Sequence, residues 1–111
     1  MSGHSQKPGS LQISSELVQG AATLTLRGEL DLASARQLEE SLAAIDEREP
    51  ARITIDLGEL AFIDSSGLRA LLLADARAHD RGYELVLLPG QEPVQRVLEM
   101  TGALDVLRFE L

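Results

Sequence analysis

The chain contains no cysteine among its 111 residues, which excludes disulfide bonds and thiolate metal sites. Tryptophan is also absent and aromatic residues make up only 3%, so the core must be built from aliphatic side chains. No run of about 18 apolar residues occurs, so no transmembrane helix is expected. The first residues lack the apolar stretch of a secretory signal. We therefore expect a cytoplasmic protein with a disordered leader over residues 1–10 and a single domain over residues 11–111.

Basic residues are scarce relative to acidic ones, ten against eighteen, which gives a formal net charge of −8. A phosphate backbone would repel such a chain, so nucleic-acid binding is not expected. The imbalance lies mainly in residues 29–64, which hold ten acidic and three basic residues. This segment is either a solvated acidic face or a docking face for a basic partner.

Alternating apolar and polar residues predict two strands near the N-terminus. Leu11 and Ile13 alternate with polar residues, and so do Leu24 and Leu26. The segment VQGAA between them supplies a glycine-containing turn. We therefore expect an antiparallel hairpin.

The remainder of the chain alternates between helical and strand patterns. Apolar residues at helical spacing follow Ser34, and Ser34 and Gln37 have the spacing of a capping box. The strand patterns RITIDLGEL and YELVLL each precede a helix pattern, and the final DVLRFEL is a short strand or an extended tail. This order predicts an α/β fold with a mixed sheet, opened by the antiparallel hairpin and continued by parallel strands that crossover helices join.

The segment FIDSSGL lies where the third predicted strand turns into the second helix. Asp64, Ser65 and Ser66 are all favoured N-caps, and Gly67 lets the backbone turn closely. A capped turn alone accounts for such residues, although one cap needs only one polar side chain. The carboxyl end of a strand is also where open α/β sheets bind ligands.

A catalytic role for Ser65 would require a base within reach. The only histidines are His4, in the predicted leader, and His79, about four turns along the second helix. Glycine-rich phosphate-binding motifs and metal-ligand clusters are missing from the sequence. We therefore do not expect an enzyme. A serine at a helix N-terminus can instead be modified, and a phosphate there adds about −1.5 to −2 charges.

Three pieces of the sequence, in order, carry a resemblance to a known family: GELDLASA, then ITIDLGEL with FIDSSGL, then VLEMTGALDVL. They resemble the STAS domain, and most closely the bacterial anti-sigma-factor antagonists, from about Leu11 onward. The resemblance implies the STAS fold and a partner switch that regulates transcription. In that switch the unphosphorylated antagonist binds an anti-sigma factor, which is also a serine kinase, and frees the sigma factor. Phosphorylation ends the binding, and a PP2C-type phosphatase restores it.

The resemblance also implies site residues and the absence of a cofactor. The phosphoacceptor is Ser65, and the kinase supplies ATP and Mg²⁺. The residues expected to contact the partner are Asp31, Asp64, Ser66, Gly67 and Arg69. Arg69 departs from the family pattern, in which glycine is common. Its side chain either folds back toward Asp64 or a phosphate on Ser65, or lies in solvent.

The family also offers a second function. Some STAS domains are structural subunits of lipid-transport complexes or stress-signalling scaffolds, in which the serine is not a phosphosite. A non-switching subunit of this kind is the alternative to the soluble antagonist.

Overall fold

The computed structural model describes residues 10–110, and its central element is a four-stranded sheet in the order β1-β2-β3-β4. The strands are β1 (Leu11–Val18), β2 (Ala21–Leu30), β3 (Arg52–Ile63) and β4 (Glu84–Leu88). β1 pairs antiparallel with β2, and β2, β3 and β4 pair in parallel. The predicted mixed sheet with an opening hairpin is confirmed. The predicted leader lies outside the described residues, except for Ser10, whose carbonyl oxygen accepts a hydrogen bond from the Glu29 N–H at 2.9 Å.

Gln19 and Gly20 form a two-residue turn between β1 and β2. Both have positive φ, 52° and 83° respectively, and turns with this backbone match the right-handed twist of paired strands. The register that follows pairs Val18 with Ala21 and Ile13 with Leu26. It places the alternating leucines of β2 in the core, with Leu24 and Leu26 fully buried.

Three helices share one hydrophobic core with the sheet. They are α1 (Ala35–Asp46), α2 (Ser65–Arg81) and α3 (Glu92–Met100). The core contains Leu38 from α1, Leu71 from α2 and Leu98 from α3, packed with the inward-facing side chains of β2 and β3. The alternate positions of these strands carry half-buried polar residues such as Thr23 and Thr54. One sheet face is therefore apolar and packed, and the other carries mainly polar residues on β2 and β3.

The capping box predicted at Ser34 and Gln37 is wrong. Ser34 precedes α1, but its side chain makes no capping hydrogen bond. Its hydroxyl donates to the Glu29 carbonyl oxygen at 2.7 Å and accepts from the Asp31 N–H at 3.0 Å. The Gln37 amide donates to the carbonyl oxygen of Leu11 at 2.8 Å. Both side chains therefore tie α1 to the hairpin, because unpaired backbone groups there also need partners.

The C-terminal segment is closer to an extended tail than to a strand. A short 3₁₀ helix covers Ala103–Asp105, and then one parallel bridge joins Phe109 to Leu87. The Leu87 N–H donates to the carbonyl oxygen of Arg108, and the Glu110 N–H donates to that of Leu87, both at 2.9 Å. The segment thus lies along the outer edge of β4.

No helix within residues 10–110 is both long enough and apolar enough to cross a bilayer.

Candidate functional site

The two turns that carry the candidate site lie side by side. Leu30 and Ile63 are paired at the carboxyl ends of the parallel strands β2 and β3. Asp31 directly follows the first and Asp64 the second. The Asp64 N–H donates to the carbonyl oxygen of Leu30 at 3.2 Å. The fold therefore joins the segments GELD and DSSG, 33 positions apart in the sequence, at one edge of the sheet.

Asp64 is the N-cap of α2. Its Oδ1 accepts hydrogen bonds from the N–H groups of Ser66 at 2.9 Å and Gly67 at 3.0 Å. Its carbonyl oxygen accepts from the Leu68 N–H at 2.9 Å. The Asp64 side chain thus satisfies two of the four donors that the first turn of a helix leaves unpaired, and its carbonyl oxygen accepts the first hydrogen bond within the helix. The hydroxyls of Ser65 and Ser66 are not needed as caps.

Gly67 is required by space and not by backbone conformation. A Cβ atom at this position would lie 2.5 Å from the carbonyl oxygen of Leu30 and 2.7 Å from its Cγ. The sequence predicted that Gly67 allows a close approach of the backbone. In the structure, the first turn of α2 approaches the end of β2 at Leu30. Any larger residue would push the start of α2 away from the GELD turn.

Ser65 is the first residue of α2 and is exposed, whereas Ser66 is half-buried. Within the described part of the chain, the Ser65 hydroxyl makes no hydrogen bond. His79 lies fourteen residues further along α2, about 21 Å away at 1.5 Å per residue. In this geometry Ser65 is accessible for modification and has no histidine beside it to activate it as a nucleophile.

Asp31 holds the turn between β2 and α1. Its Oδ1 accepts from the N–H groups of Ala33 at 3.0 Å and Ser34 at 3.2 Å. All hydrogen bonds that its carboxylate makes within residues 10–110 use this oxygen, and the same holds for Asp64. Each turn therefore presents a carboxylate with one oxygen engaged in the fold and Oδ2 remaining for a contact.

Arg69 is exposed on α2, one turn after Ser65. It forms no ion pair with Asp64 or with any other residue in the described range. Most arginines of the domain are engaged in ion pairs, for example Arg27 with Glu59 and Arg36 with Glu40. Arg69 is therefore a cation that is available next to Ser65.

Apolar side chains surround the polar site, and reasoning from the sequence missed them. Leu32, next to Asp31, is 78% exposed, Phe62 is 47% exposed, and Leu73, two turns beyond Ser65, is 51% exposed. Leu73 lines a groove between α1 and α2, together with Glu39, Leu42, Ala43, Ala70, Ala74 and Arg77. The sequence of α2 contains more apolar residues than one buried stripe of a helix can hold. This surplus was the feature of the sequence that indicated an exposed apolar residue.

The acidic segment of residues 29–64 does not form one continuous face. Glu59 pairs with Arg27 of β2. Asp46 is buried at the end of α1, with a side chain only 3% exposed, and pairs with Arg77 at 3.1 Å and Arg81 at 3.6 Å. Arginines from outside the segment therefore pair with two of its ten acidic residues. Asp31 and Asp64 are the acids of this segment that flank Ser65.

The cluster around Asp46 joins the ends of α1 and α2 away from the site. Tyr83, which follows α2, donates its hydroxyl hydrogen to Asp46 at 2.9 Å. Burial would raise the pKa of Asp46, but the hydrogen bonds from Tyr83 and Arg77 and the charges of Arg77 and Arg81 hold it below its ordinary value. Burial, the hydrogen bond to Asp46 and its charge raise the pKa of Tyr83 to about 12.

Within residues 10–110, no group of three or more histidine, aspartate or glutamate side chains could hold a metal ion. The candidate site therefore consists of two capping carboxylates, two neighbouring hydroxyls, one arginine and exposed apolar side chains. Such an arrangement suits protein contact and modification of a hydroxyl.

Comparison with known proteins identifies related chains along nearly the whole length. The family described as "Mlab, STAS domain" matches residues 13–108. BtrV of Bordetella bronchiseptica, named as a candidate anti-sigma factor antagonist, is 33% identical over 96 residues, which are 86% of this chain and 83% of BtrV. The anti-sigma F factor antagonist of Paenibacillus polymyxa is 32% identical over 98 residues, 87% of this chain and 84% of that protein.

Solved structures show the same fold. The anti-sigma factor antagonist SpoIIAA in its unphosphorylated form superposes with a TM-score of 0.76 at 20% identity, over 90% of this chain and 89% of SpoIIAA. The Bacillus cell fate determinant SpoIIAA in its phosphorylated form gives a TM-score of 0.68 at 18% identity, over 92% of each chain. The fold that places the two turns together is therefore shared with a protein known in both forms.

Proposed function

Because this chain belongs to the STAS domain family of anti-sigma factor antagonists, which are regulatory proteins and not enzymes, we propose that it acts in a phosphorylation-controlled partner switch. The unphosphorylated chain binds an anti-sigma factor that is also a serine kinase, and the sigma factor is released. Phosphorylation of Ser65 ends this binding, and a PP2C-type phosphatase restores it. The switch operates in the cytoplasm, and the kinase supplies ATP and Mg²⁺.

The observation that carries this proposal is the placement of Ser65. Its hydroxyl is exposed and makes no hydrogen bond within the described residues, and Ser65 directly follows Asp64, whose turn lies beside that of Asp31. A hydroxyl that makes no hydrogen bond within the fold can be phosphorylated without breaking a contact that stabilises the fold. SpoIIAA, which shares this fold, is known in phosphorylated form, and this adds support to the assignment.

A phosphate on Ser65 changes the surface and not the helix cap. The N–H groups of Ser66 and Gly67, which a phosphate at a helix N-terminus would otherwise bind, are already bonded to Asp64. The phosphate therefore remains at the surface and adds about −1.5 to −2 charges beside two carboxylates. A partner that packs there meets both like-charge repulsion and the cost of desolvating the phosphate.

The contact surface in this proposal consists of polar residues around Ser65 and of exposed apolar residues: Asp31, Asp64, Ser65, Ser66 and Arg69, with Leu32, Phe62 and Leu73. A few buried apolar side chains usually supply most of the binding energy of an interface, and polar groups around them supply specificity. The three exposed apolar residues are suited to supply binding energy, and the polar residues around Ser65 are suited to supply specificity. Phosphorylation changes the polar part of a surface whose apolar part stays the same.

The experiment that tests the proposal is phosphopeptide mapping after incubation with ATP, Mg²⁺ and the anti-sigma kinase encoded in the same organism. We expect one phosphate, located on Ser65. Ser65→Ala removes the label, whereas the matched control Ser66→Ala retains it. Recovery of phosphate on Ser66 alone contradicts the assignment of the acceptor. The complete absence of phosphate favours the non-switching structural subunit.

A further inference from the structure

We propose that Arg69 pairs with the phosphate on Ser65, so that phosphorylation withdraws the arginine from the contact surface while it adds negative charge. This inference rests on the proposed phosphorylation of Ser65. It assigns to Arg69 the role of binding that phosphate. Phosphorylation then alters the surface twice, once by adding an anion and once by engaging an available cation.

Helix geometry places Arg69 over Ser65. The two residues lie four positions apart on α2 and both are exposed, so their side chains are neighbours on the same helix face. Side chains in a helix lean toward its N-terminus, which directs Arg69 over the turn that contains Ser65. An acidic group four residues before a basic one is also the more favourable of the two possible orders.

The domain contains an ordinary pair at this spacing for comparison. Arg36 and Glu40 of α1 form an ion pair at 3.6 Å, with the less favourable order of base before acid. Both side chains are exposed, so the pair persists in contact with solvent. A phosphate dianion carries more charge than one carboxylate and accepts several hydrogen bonds from a guanidinium group. The pair between phosphorylated Ser65 and Arg69 should therefore be the stronger one.

Within the described residues, neither Ser65 nor Arg69 has a side-chain hydrogen bond or ion pair that pairing with a phosphate would have to break. Arg69 has no ion pair in that range. Asp64, the nearest carboxylate along the chain, directs Oδ1 at the N–H groups of Ser66 and Gly67. Because these two N–H groups are taken, the Arg69 guanidinium is a charged donor one helical turn away that remains available to the phosphate.

The test is a ³¹P NMR titration of the full chain with phosphoserine installed at position 65 during translation. The second pKa of phosphoserine is about 6. We expect Arg69 to lower it by roughly 0.3 units, and Arg69→Gln to abolish that shift. Arg69→Lys should retain part of it, because lysine keeps the charge and loses the bidentate geometry. High salt should reduce the shift.

The matched control is Arg96→Gln, which removes an exposed arginine of α3 that also has no ion pair in the described range. It should leave the titration unchanged. Identical titration curves for the unaltered chain and Arg69→Gln would overturn the inference, and so would an equal effect of Arg96→Gln. Because the phosphoserine is installed without a kinase, this outcome is independent of phosphopeptide mapping. A kinase that does not modify Ser65 contradicts the proposed function and leaves the NMR result intact.

Discussion

Three consecutive polar residues have different environments at the start of α2. Asp64 caps the helix, Ser66 is half-buried, and the Ser65 hydroxyl is exposed and unbonded within the described residues. The sequence predicted a turn with surplus polar groups, but aspartate and serine have similar capping preferences. Which of them caps the helix depends on how closely the backbone of α2 approaches β2. Gly67 determines that approach through its contact with Leu30.

Asp31 is expected to have two roles. Its carboxylate holds the turn before α1, and we propose that it also contacts the anti-sigma factor. Asp31→Asn keeps an oxygen that can accept from the N–H groups of Ala33 and Ser34, and asparagine is as good a cap as aspartate. We therefore expect the free energy of unfolding to change by no more than about 0.5 kcal/mol. Affinity for the anti-sigma partner should fall, with the larger loss at low salt.

Paired thermal melts and binding curves measure both properties. The matched control is Asp105→Asn, which removes an exposed acid from the 3₁₀ helix. Unchanged binding of Asp31→Asn at low salt removes Asp31 from the contact surface. A large loss of stability would instead show that the charge, and not only the oxygen, holds the turn.

At the scale of elements, the cluster around Asp46 fixes α1 against α2. Asp46 ends α1, while Arg77 and Arg81 lie in the last turns of α2 and Tyr83 directly precedes β4. The cluster joins the two helices that line the groove of Leu73. We infer that it keeps the apolar part of the contact surface in place, although it lies away from Ser65.

Tyr83 reports on this cluster directly because it is the only tyrosine in the chain. Its pKa is raised to about 12 by burial, by the hydrogen bond to Asp46 and by the charge of Asp46. The neutral phenol therefore stabilises the folded state below pH 10, and that contribution is lost as the pH rises through about 12. We expect phenolate absorbance to titrate near pH 12 in the folded protein.

Asp46→Asn should move this titration toward lower pH, and only in part, because burial remains. The control Asp80→Asn removes an exposed acid of the same helix pair and should leave the titration in place. A midpoint near the ordinary tyrosine value in the unaltered chain would show that the cluster is not formed in solution. A midpoint that Asp46→Asn leaves in place would exclude Asp46 as a cause.

The strands and helices could be predicted from the sequence, whereas the contacts between them could not. The hairpin and the helices follow from alternation and helical spacing, which are local patterns. The side-chain partners of Ser34 and Gln37 could not be predicted, because those partners, Glu29 and Leu11, are supplied by the hairpin. The roles of Asp46 and Tyr83 depend likewise on contacts between residues 37 positions apart.

In the whole molecule, the proposed site depends on where the sheet brings the strand ends together. Parallel pairing of β2 and β3 places Asp31 beside Asp64, and α2 then extends from Ser65 with Arg69 and Leu73 on its exposed surface. The sequence pointed to Ser65 and to its acidic neighbours. The apolar pattern of α2 indicated more apolar residues than one stripe can bury, but which of them stays exposed, such as Leu73, depends on how α2 packs against α1.

Phosphorylation of Ser65 is expected to weaken binding to the anti-sigma factor, and isothermal titration calorimetry measures that change in affinity. The unmodified chain is compared with a chain that carries phosphoserine at position 65. The control carries phosphoserine at Ser14, an exposed residue of β1 that pairs with Thr25 on the polar face of the sheet. We expect a loss of affinity of at least about tenfold, or 1.4 kcal/mol, for position 65 and little change for position 14. Equal affinity of the unmodified chain and the chain phosphorylated at Ser65 would contradict it.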